Sequence, residues 1–340
     1  MTIKFSKKQQ LSSELLIVDG FWGVGKSVIG ELVSVFNSME CWRIDLPFDL
    51  IPILYEKKSI DESAAIAIIR NLFDEISYNV AISRSVNFRY KDLTSIWKHP
   101  KKYEYILRMF EEGGSDSLKK ISDNKMIIPI STHLSTSNND LFLRSLGKRC
   151  KIIRCDRHPL FIVDNWANYI DRCQTDPREF TLNISYKQED IPFFADGWED
   201  EYLSLNNLEK SIKSISVLTS LYESNYSRMR DTYGSDSILE ISFEDAVKNT
   251  DNVVRLMSEF LNRDVNYTIY KKVNKREKLS RKTAYLEPGH KLLKHSKNKV
   301  KELEEFIIKE KLSSIKNNVD LKYYDELMFL IGTYEKKWFN

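Results

Sequence analysis

The sequence predicts an α/β fold: a parallel sheet flanked by helices, with helical insertions and a helical C-terminal tail. Three observations carry this expectation. A glycine-rich stretch, Gly20-Phe21-Trp22-Gly23-Val24-Gly25-Lys26-Ser27, sits between an apolar run and an amphipathic one. Short apolar runs of strand length recur through the chain, several ending in a polar cluster. Stretches with apolar residues at helical spacing separate them, and strands alternating with helices build a parallel sheet.

Taken in order, Leu15-Leu16-Ile17-Val18 reads as a short buried strand, and Val28, Ile29, Leu32, Val33 and Phe36 follow at helical spacing. This strand and helix cover about Leu15 to Asn37. Glu40 to Leu46 is expected as a second strand, ended by Pro47. Asp61 to Val80 has helical spacing through Ile66, Ile69, Leu72, Phe73 and Ile76, and Tyr103 to Phe110 reads as a short helix stopped by Gly113-Gly114. Lys125 to Ile130, Lys151 to Cys155 and Ile238 to Phe243 are further strands. They run into Ser131-Thr132-His133, Asp156-Arg157-His158-Pro159 and Glu244-Asp245 respectively. In parallel sheets ligands sit beyond the carboxyl ends of the strands, so these clusters are the candidate functional residues. From about Asn206 the chain is mostly helical, with Val253, Val254, Met257, Phe260 and Leu261 on one face. Lys299 to Phe339 predicts two amphipathic helices, with Tyr324, Leu327, Met328 and Ile331 as one apolar face covering the core. A single domain is expected over residues 1–340, its core about 15–291 and its helical extension about 296–340.

The composition sets limits on function. The chain has 52 basic and 49 acidic residues and a formal net charge of +3, too balanced for a general nucleic-acid binder. No apolar run approaches the ~20 residues that span a bilayer, and Met1 to Gln10 is polar, so a cytoplasmic protein without a membrane span is expected. Cys41, Cys150, Cys155 and Cys173 have neither zinc nor redox spacing and read as small reduced side chains.

Gly20 to Ser27 fits G-x-x-x-x-G-K-S, the phosphate-binding loop of P-loop nucleoside triphosphate hydrolase-like folds. Backbone N–H groups at a helix start, the helix dipole and a lysine together make an anion cradle. The expected nucleotide contacts are Gly20, Gly23, Val24, Gly25, Lys26, Ser27 and Val28. The loop alone is compatible with a nucleoside triphosphate hydrolase, a small-molecule kinase or a sulfotransferase. A kinase needs Mg²⁺, which Ser27 and the strand-end Asp156 could hold.

The order of the later segments is more particular. Ser131-Thr132-His133-Leu134, then Arg157-His158-Pro159 leading into a helix with Asn165, then Glu240-Ile241-Ser242-Phe243-Glu244-Asp245 with Phe260-Leu261, then Arg281-Lys282-Thr283 resembles the cores of PAPS-dependent sulfotransferases. PAPS is 3′-phosphoadenosine 5′-phosphosulfate. The resemblance spans about Leu15 to Lys291 and implies a sulfotransferase-type P-loop fold. It implies that Gly20 to Ser27 hold the 5′-phosphosulfate, and that Arg157 holds the 3′-phosphate with Asn165 in the place of the usual serine. Arg281 and Lys282 would reach the same phosphate. His133 would be the catalytic base that takes a proton from a hydroxyl acceptor, either a carbohydrate or a small molecule. Histidine suits that work because its pKa lies near the working pH. No metal is required. The chain departs from the family pattern at Gly23 (usually basic), at Lys26-Ser27 (usually small hydroxyl residues), at Ser131 (usually lysine) and at Thr283 (usually glycine). Lys26 would replace the missing loop cation.

Two other readings remain open at this level. One is a P-loop kinase using ATP and Mg²⁺ through Lys26, Ser27 and Asp156. The other is a nucleotide-binding module in which His133 is dispensable. Trp22 could stack on a ligand base or simply pack. The basic stretch Lys271 to Lys282 reads equally as a solvated face or as an anion-attracting patch. Ser83 to Lys102 is a candidate acceptor wall, with Arg84 and Arg89 as sugar contacts.

Overall fold

Leu15, Leu16, Ile17 and Val18 are all fully buried, so β1 (Glu14–Asp19) has no solvent face along this run. A strand covered on both faces belongs inside a parallel sheet between helical layers. The computed structural model, which describes residues 3–275, 285 and 297–339, places it there. β2 (Arg43–Ile44), β3 (Ile127–Ser131), β4 (Cys150–Asp156) and β7 (Ile238–Ser242) complete a five-stranded sheet of order β2-β3-β1-β4-β7, every ladder parallel. β5 (Asn183–Tyr186) and β6 (Glu189–Pro192) form a separate antiparallel hairpin.

The register brings the polar strand ends to one edge. Val18 lies opposite Ser131 and Ile153, and Asp156 lies opposite Ser242. The chain runs from β1 to β3 on one side and returns to β4 on the other. The crevice at the end of β1 is therefore a topological switch point, where such sheets bind ligands.

Helices α1 (Lys26–Val33), α2 (Leu46–Glu56), α3 (Glu62–Ala81), α4 (Lys102–Arg108), α5 (Ser115–Asp123) and α6 (Leu141–Leu146) precede β4. α7 (Val163–Thr175), α8 (Glu199–Ser204) and α9 (Asn207–Tyr233) lie between β4 and β7. α10 (Phe243–Lys248), α11 (Thr250–Leu261), α12 (Tyr267–Val273), α13 (Lys297–Lys316) and α14 (Leu321–Trp338) follow. The long α9 starts at a reciprocal capping box between Asn206 and Glu209, which satisfies two backbone donors at its entry.

The structure corrects the sequence reading in three places. The second strand is only Arg43–Ile44, and Pro47 opens α2 rather than ending a strand. Proline in a first helical turn lacks only a donor that would have no intrahelical partner anyway. The β5–β6 hairpin was not expected. On α14 the buried face is Tyr323, Leu327, Leu330, Ile331 and Tyr334, while Met328 points outward, so the apolar stripe is rotated from the expected one. The two tail helices themselves are present. No described helix is long and apolar enough to cross a membrane. Cys150 and Cys155 are free and buried.

Candidate functional site

The glycines of the loop are set by close contacts. At Gly20 (φ +143°) an added Cβ would lie 2.4 Å from the Cys155 carbonyl oxygen, and at Gly25 (φ +86°) it would lie 2.2 Å from the Phe243 ring. Any side chain at either position collides, so the loop can lie this close to the ends of β4 and β7 only as glycine. Gly25 is also the N-cap of α1 and brings no capping side chain, which leaves the helix start open to an anion.

Lys26 begins that helix. Its Nζ donates to the carbonyl oxygens of Gly20 at 2.7 Å and Phe21 at 2.8 Å. Burial lowers its pKa from 10.5 to about 8, opposed by the negative charges of Asp19 and Asp49 and by Cys155. Asp19, at the end of β1, is fully buried. It accepts hydrogen bonds from Thr132 Oγ1 at 3.0 Å, the Thr136 backbone N–H at 2.9 Å, Tyr222 OH at 3.0 Å and the Thr136 hydroxyl. Among the acidic groups that favour the charged form of Lys26, this strand-end carboxylate acts most strongly.

The loop borders a cleft of about 480 Å³. Gly23, Gly25, Lys26, Ser27 and Val28 line it from one side, and Arg157, Asn165 and His133 line it from others. Gly20 and Val24 do not reach it: Val24 is buried, and the Gly20 carbonyl holds Lys26. The Arg157 guanidinium donates to the Gly23 carbonyl at 2.9 Å and lies 4.4 Å from the centre of the Phe243 ring. Asn165 sits against Gly23, where a Cβ would lie 2.9 Å from its Nδ2. Asn168 and Arg172 also line the cleft. They follow Asn165 by three and then four residues along α7, so one helix face presents all of them. Their helical spacing was a signal available in the sequence.

His133 is held by three contacts, two to Asp49 and one to Trp22. Its backbone N–H donates to Asp49 Oδ1 at 2.5 Å, and its Nδ1 lies 3.3 Å from Asp49 Oδ2. A carboxylate only accepts, so this contact places the proton on Nδ1 and leaves Nε2 with the lone pair. The imidazole stacks on Trp22 at 4.8 Å and 15°, and the other face of the stack is Tyr169, at 3.9 Å and 20° from Trp22. Trp22 thus packs rather than offering a free face to a base. Asp49, on α2, was absent from the sequence reading. A second chamber, of about 160 Å³, shares Trp22, Ile44 and His133 with the first. The imidazole therefore stands where the two spaces meet.

Other sequence candidates fall elsewhere. Asp156 is taken up by Arg154 at 3.0 Å and Lys337 at 3.5 Å. Asp156, Glu223 and Glu240 bring their oxygens within 4.8 Å of one another. That acidic trio already holds cations: Arg154 also reaches Glu223 at 2.9 Å, and Lys337 reaches Glu240 at 2.6 Å. Arg84 bonds to Asn79 and Arg89 pairs with Asp92; neither lines the cleft or the chamber, although Leu93 of the same segment borders the cleft. Arg281 and Lys282 lie outside the described residues.

No family model matches the sequence, nor does any curated protein. Among solved structures the chain is similar to a sulfotransferase domain from the Synechococcus PCC 7002 olefin synthase, at 11% identity over 89% of this chain and 98% of that one, with a TM-score of 0.41. It is also similar to a sulfotransferase domain from the curacin biosynthetic pathway, at 12% identity over 96% and 99% of the two chains, with a TM-score of 0.43. A third is a mouse sulfotransferase, SULT7A1, complexed with PAP, at 10% identity over 95% and 90%, with a TM-score of 0.33.

Proposed function

We propose that the chain is a sulfotransferase that moves a sulfuryl group from PAPS to a hydroxyl acceptor. The observation that supports this reading is one continuous cleft lined by the phosphate loop, Arg157 and Asn165 and by His133, whose ring is bonded to Asp49 behind it. The donor set fits such a nucleotide. An open helix start and Lys26 suit one anionic group, and a separate guanidinium, Arg157, suits a phosphate monoester by its planar fork. Arg172 adds a second guanidinium from α7.

The co-substrate would supply an activated sulfuryl group on a 5′-phosphate. The chain's own residues would do the rest. Lys26 and the N–H groups from Gly23 to Ser27 would hold the phosphosulfate and steady the charge that develops on the departing phosphate oxygen; the Val28 N–H is taken by the Gly25 carbonyl at 2.8 Å. His133 Nε2 would take the acceptor's proton as its oxygen bonds to sulfur and the bond from sulfur to the phosphate oxygen breaks. Asp49 would keep Nδ1 protonated and stabilise the imidazolium that forms. Trp22, between His133 and Tyr169, would fix the ring plane.

The kinase reading is less well supported. Its strand-end carboxylate, Asp156, is neutralised by Arg154 and Lys337. The test is co-substrate turnover. With PAPS, a hydroxyl acceptor and EDTA, the enzyme should release adenosine 3′,5′-bisphosphate. Release of ADP from ATP in Mg²⁺, with PAPS left intact, would overturn the proposal in favour of a kinase.

A further inference from the structure

Arg157 stands one residue past the end of β4, and the C-terminal helix α14 grips the residues on both sides of it. Before it, Lys337 Nζ lies 3.5 Å from Asp156 on β4, 3.1 Å from Glu223 on α9 and 2.6 Å from Glu240 on β7. After it, His158 is buried. The His158 backbone N–H donates to Glu244 Oε1 at 3.3 Å, and Glu244 Oε2 accepts the Tyr334 hydroxyl at 2.6 Å. The imidazole also meets α14: its Nε2 is 3.4 Å from Glu335 Oε1, and its centre is 5.5 Å from that of the Tyr334 ring.

The grip reaches the guanidinium through Glu244. Burial raises the pKa of this carboxyl, opposed by the Tyr334 and His158 donors and by the charge of Arg157. A buried carboxylate is costly without donors, so it stays with those it has. Its neighbour in the chain is Phe243, and the Arg157 guanidinium lies 4.4 Å from the centre of that ring. Tyr334 therefore anchors one carboxylate that holds both the backbone after Arg157 and the ring beneath it. A binding side chain keeps its geometry only when the groups behind it are locked in this way.

We infer that α14 belongs to the nucleotide site, with Tyr334 and Lys337 as positioning residues that set Arg157 against a 3′-phosphate. This rests on the reading of Arg157 proposed for the cleft. The ladder between β4 and β7 ends at Asp156 and Ser242, so beyond it the direction of Arg157 depends on what holds His158 and Phe243. The other end of the ligand is independent of α14. Lys26 is held by the carbonyls of Gly20 and Phe21, so loosening α14 acts on the 3′ end alone.

Calorimetry on the full-length protein with adenosine 3′,5′-bisphosphate and adenosine 5′-phosphate, which differ only in the 3′-phosphate, reads that end by itself. Tyr334→Phe and Lys337→Met should each weaken the bisphosphate about two- to tenfold, the worth of one hydrogen bond, and leave adenosine 5′-phosphate nearly unchanged. The two substitutions together should bring the ligands close to equal affinity. Lys337→Arg keeps a cation among the three carboxylates and should restore the wild-type preference. An unchanged preference in both single variants, or equal losses for the two nucleotides, would overturn the positioning role. A wild type that binds both nucleotides equally would instead overturn the function proposed for the cleft, and the role of Arg157 with it.

Discussion

Lys26 offers the sharpest perturbation because its environment sets both a sign and a size. The ammonium is 7% exposed and held by two carbonyl oxygens. Its pKa of about 8 lies well below the usual 10.5 because burial disfavours the charge more than Asp19, Cys155 and Asp49 restore it. The charged fraction is near complete at pH 7, about half at pH 8 and about a tenth at pH 9. An anion at the loop favours the ammonium, so the ligand-bound pKa is higher and binding near pH 8 takes up about half a proton. Phosphate monoesters are fully ionised well above a pKa of about 6, so the ligand adds no titration of its own between pH 7 and 9. Burial raises the Cys155 thiol far above this range, which keeps it silent.

Affinity for adenosine 3′,5′-bisphosphate should therefore fall about tenfold from pH 7 to pH 9. Isothermal titration in two buffers of different ionisation enthalpy would read both the affinity and the proton uptake. Lys26→Met should bind about 10- to 100-fold more weakly at pH 7, the worth of one charge-assisted hydrogen bond, and its affinity should be flat across the same range. The free protein carries the opposite dependence. The folded state holds this proton less tightly than the unfolded one, so stability rises by up to about 3 kcal/mol as pH climbs from about 8 towards 10.5. Equal affinity at pH 7 and 9 with no proton uptake would refute this account of Lys26.

Two further substitutions test the residues around it. Asp49→Asn keeps the shape beside His133 but removes the charge that fixes Nδ1 as donor. It should lower kcat about 10²-fold or more, within the range that general base catalysis supplies, with the affinity for adenosine 3′,5′-bisphosphate changed less than twofold. Wild-type kcat would remove Asp49 from that role. Arg154 is 2% exposed, pairs with Asp156, Glu223 and Glu240, and lies over the Tyr222 and Tyr226 rings. Arg154→Met strips a buried acidic cluster of its central cation and should cost about 3–5 kcal/mol of stability by urea denaturation. An unchanged midpoint would show that Lys337 and Arg230 neutralise the cluster on their own.

Local patterns in the sequence showed where strands end, and those ends build the site. The loop, the Ser131-Thr132-His133 turn and Arg157 are each adjacent to an apolar run, so strand and site residue were read together. What escaped depends on contacts distant in sequence. Asp49 meets His133 across 84 residues, and it rides on α2, which was hidden because Pro47 looked like a strand terminator. Arg172 and Asn168 were readable from their spacing behind Asn165, but only once that helix face is known to turn towards the loop. The chamber could not be read at all. Its walls come from α2, β2, the hairpin region and the turn after α7, and no single segment carries more than part of its apolar surface. Arg84 and Arg89 make local surface pairs, while Leu93 of the same basic-aromatic stretch borders the cleft, so only part of that segment faces it.

The ligand proposed for the cleft is a nucleotide with a phosphate at both the 3′ and 5′ positions. Calorimetry of adenosine 3′,5′-bisphosphate against ADP, on wild type and Arg157→Ala without Mg²⁺, tests it most directly. The wild type should bind the bisphosphate at least tenfold more tightly than ADP. Arg157→Ala should erase that preference by weakening the bisphosphate about 10- to 100-fold, the worth of a hydrogen bond to a charged group, while ADP affinity changes little. Equal affinities in the wild type, or equal losses for both ligands in the variant, would contradict the account.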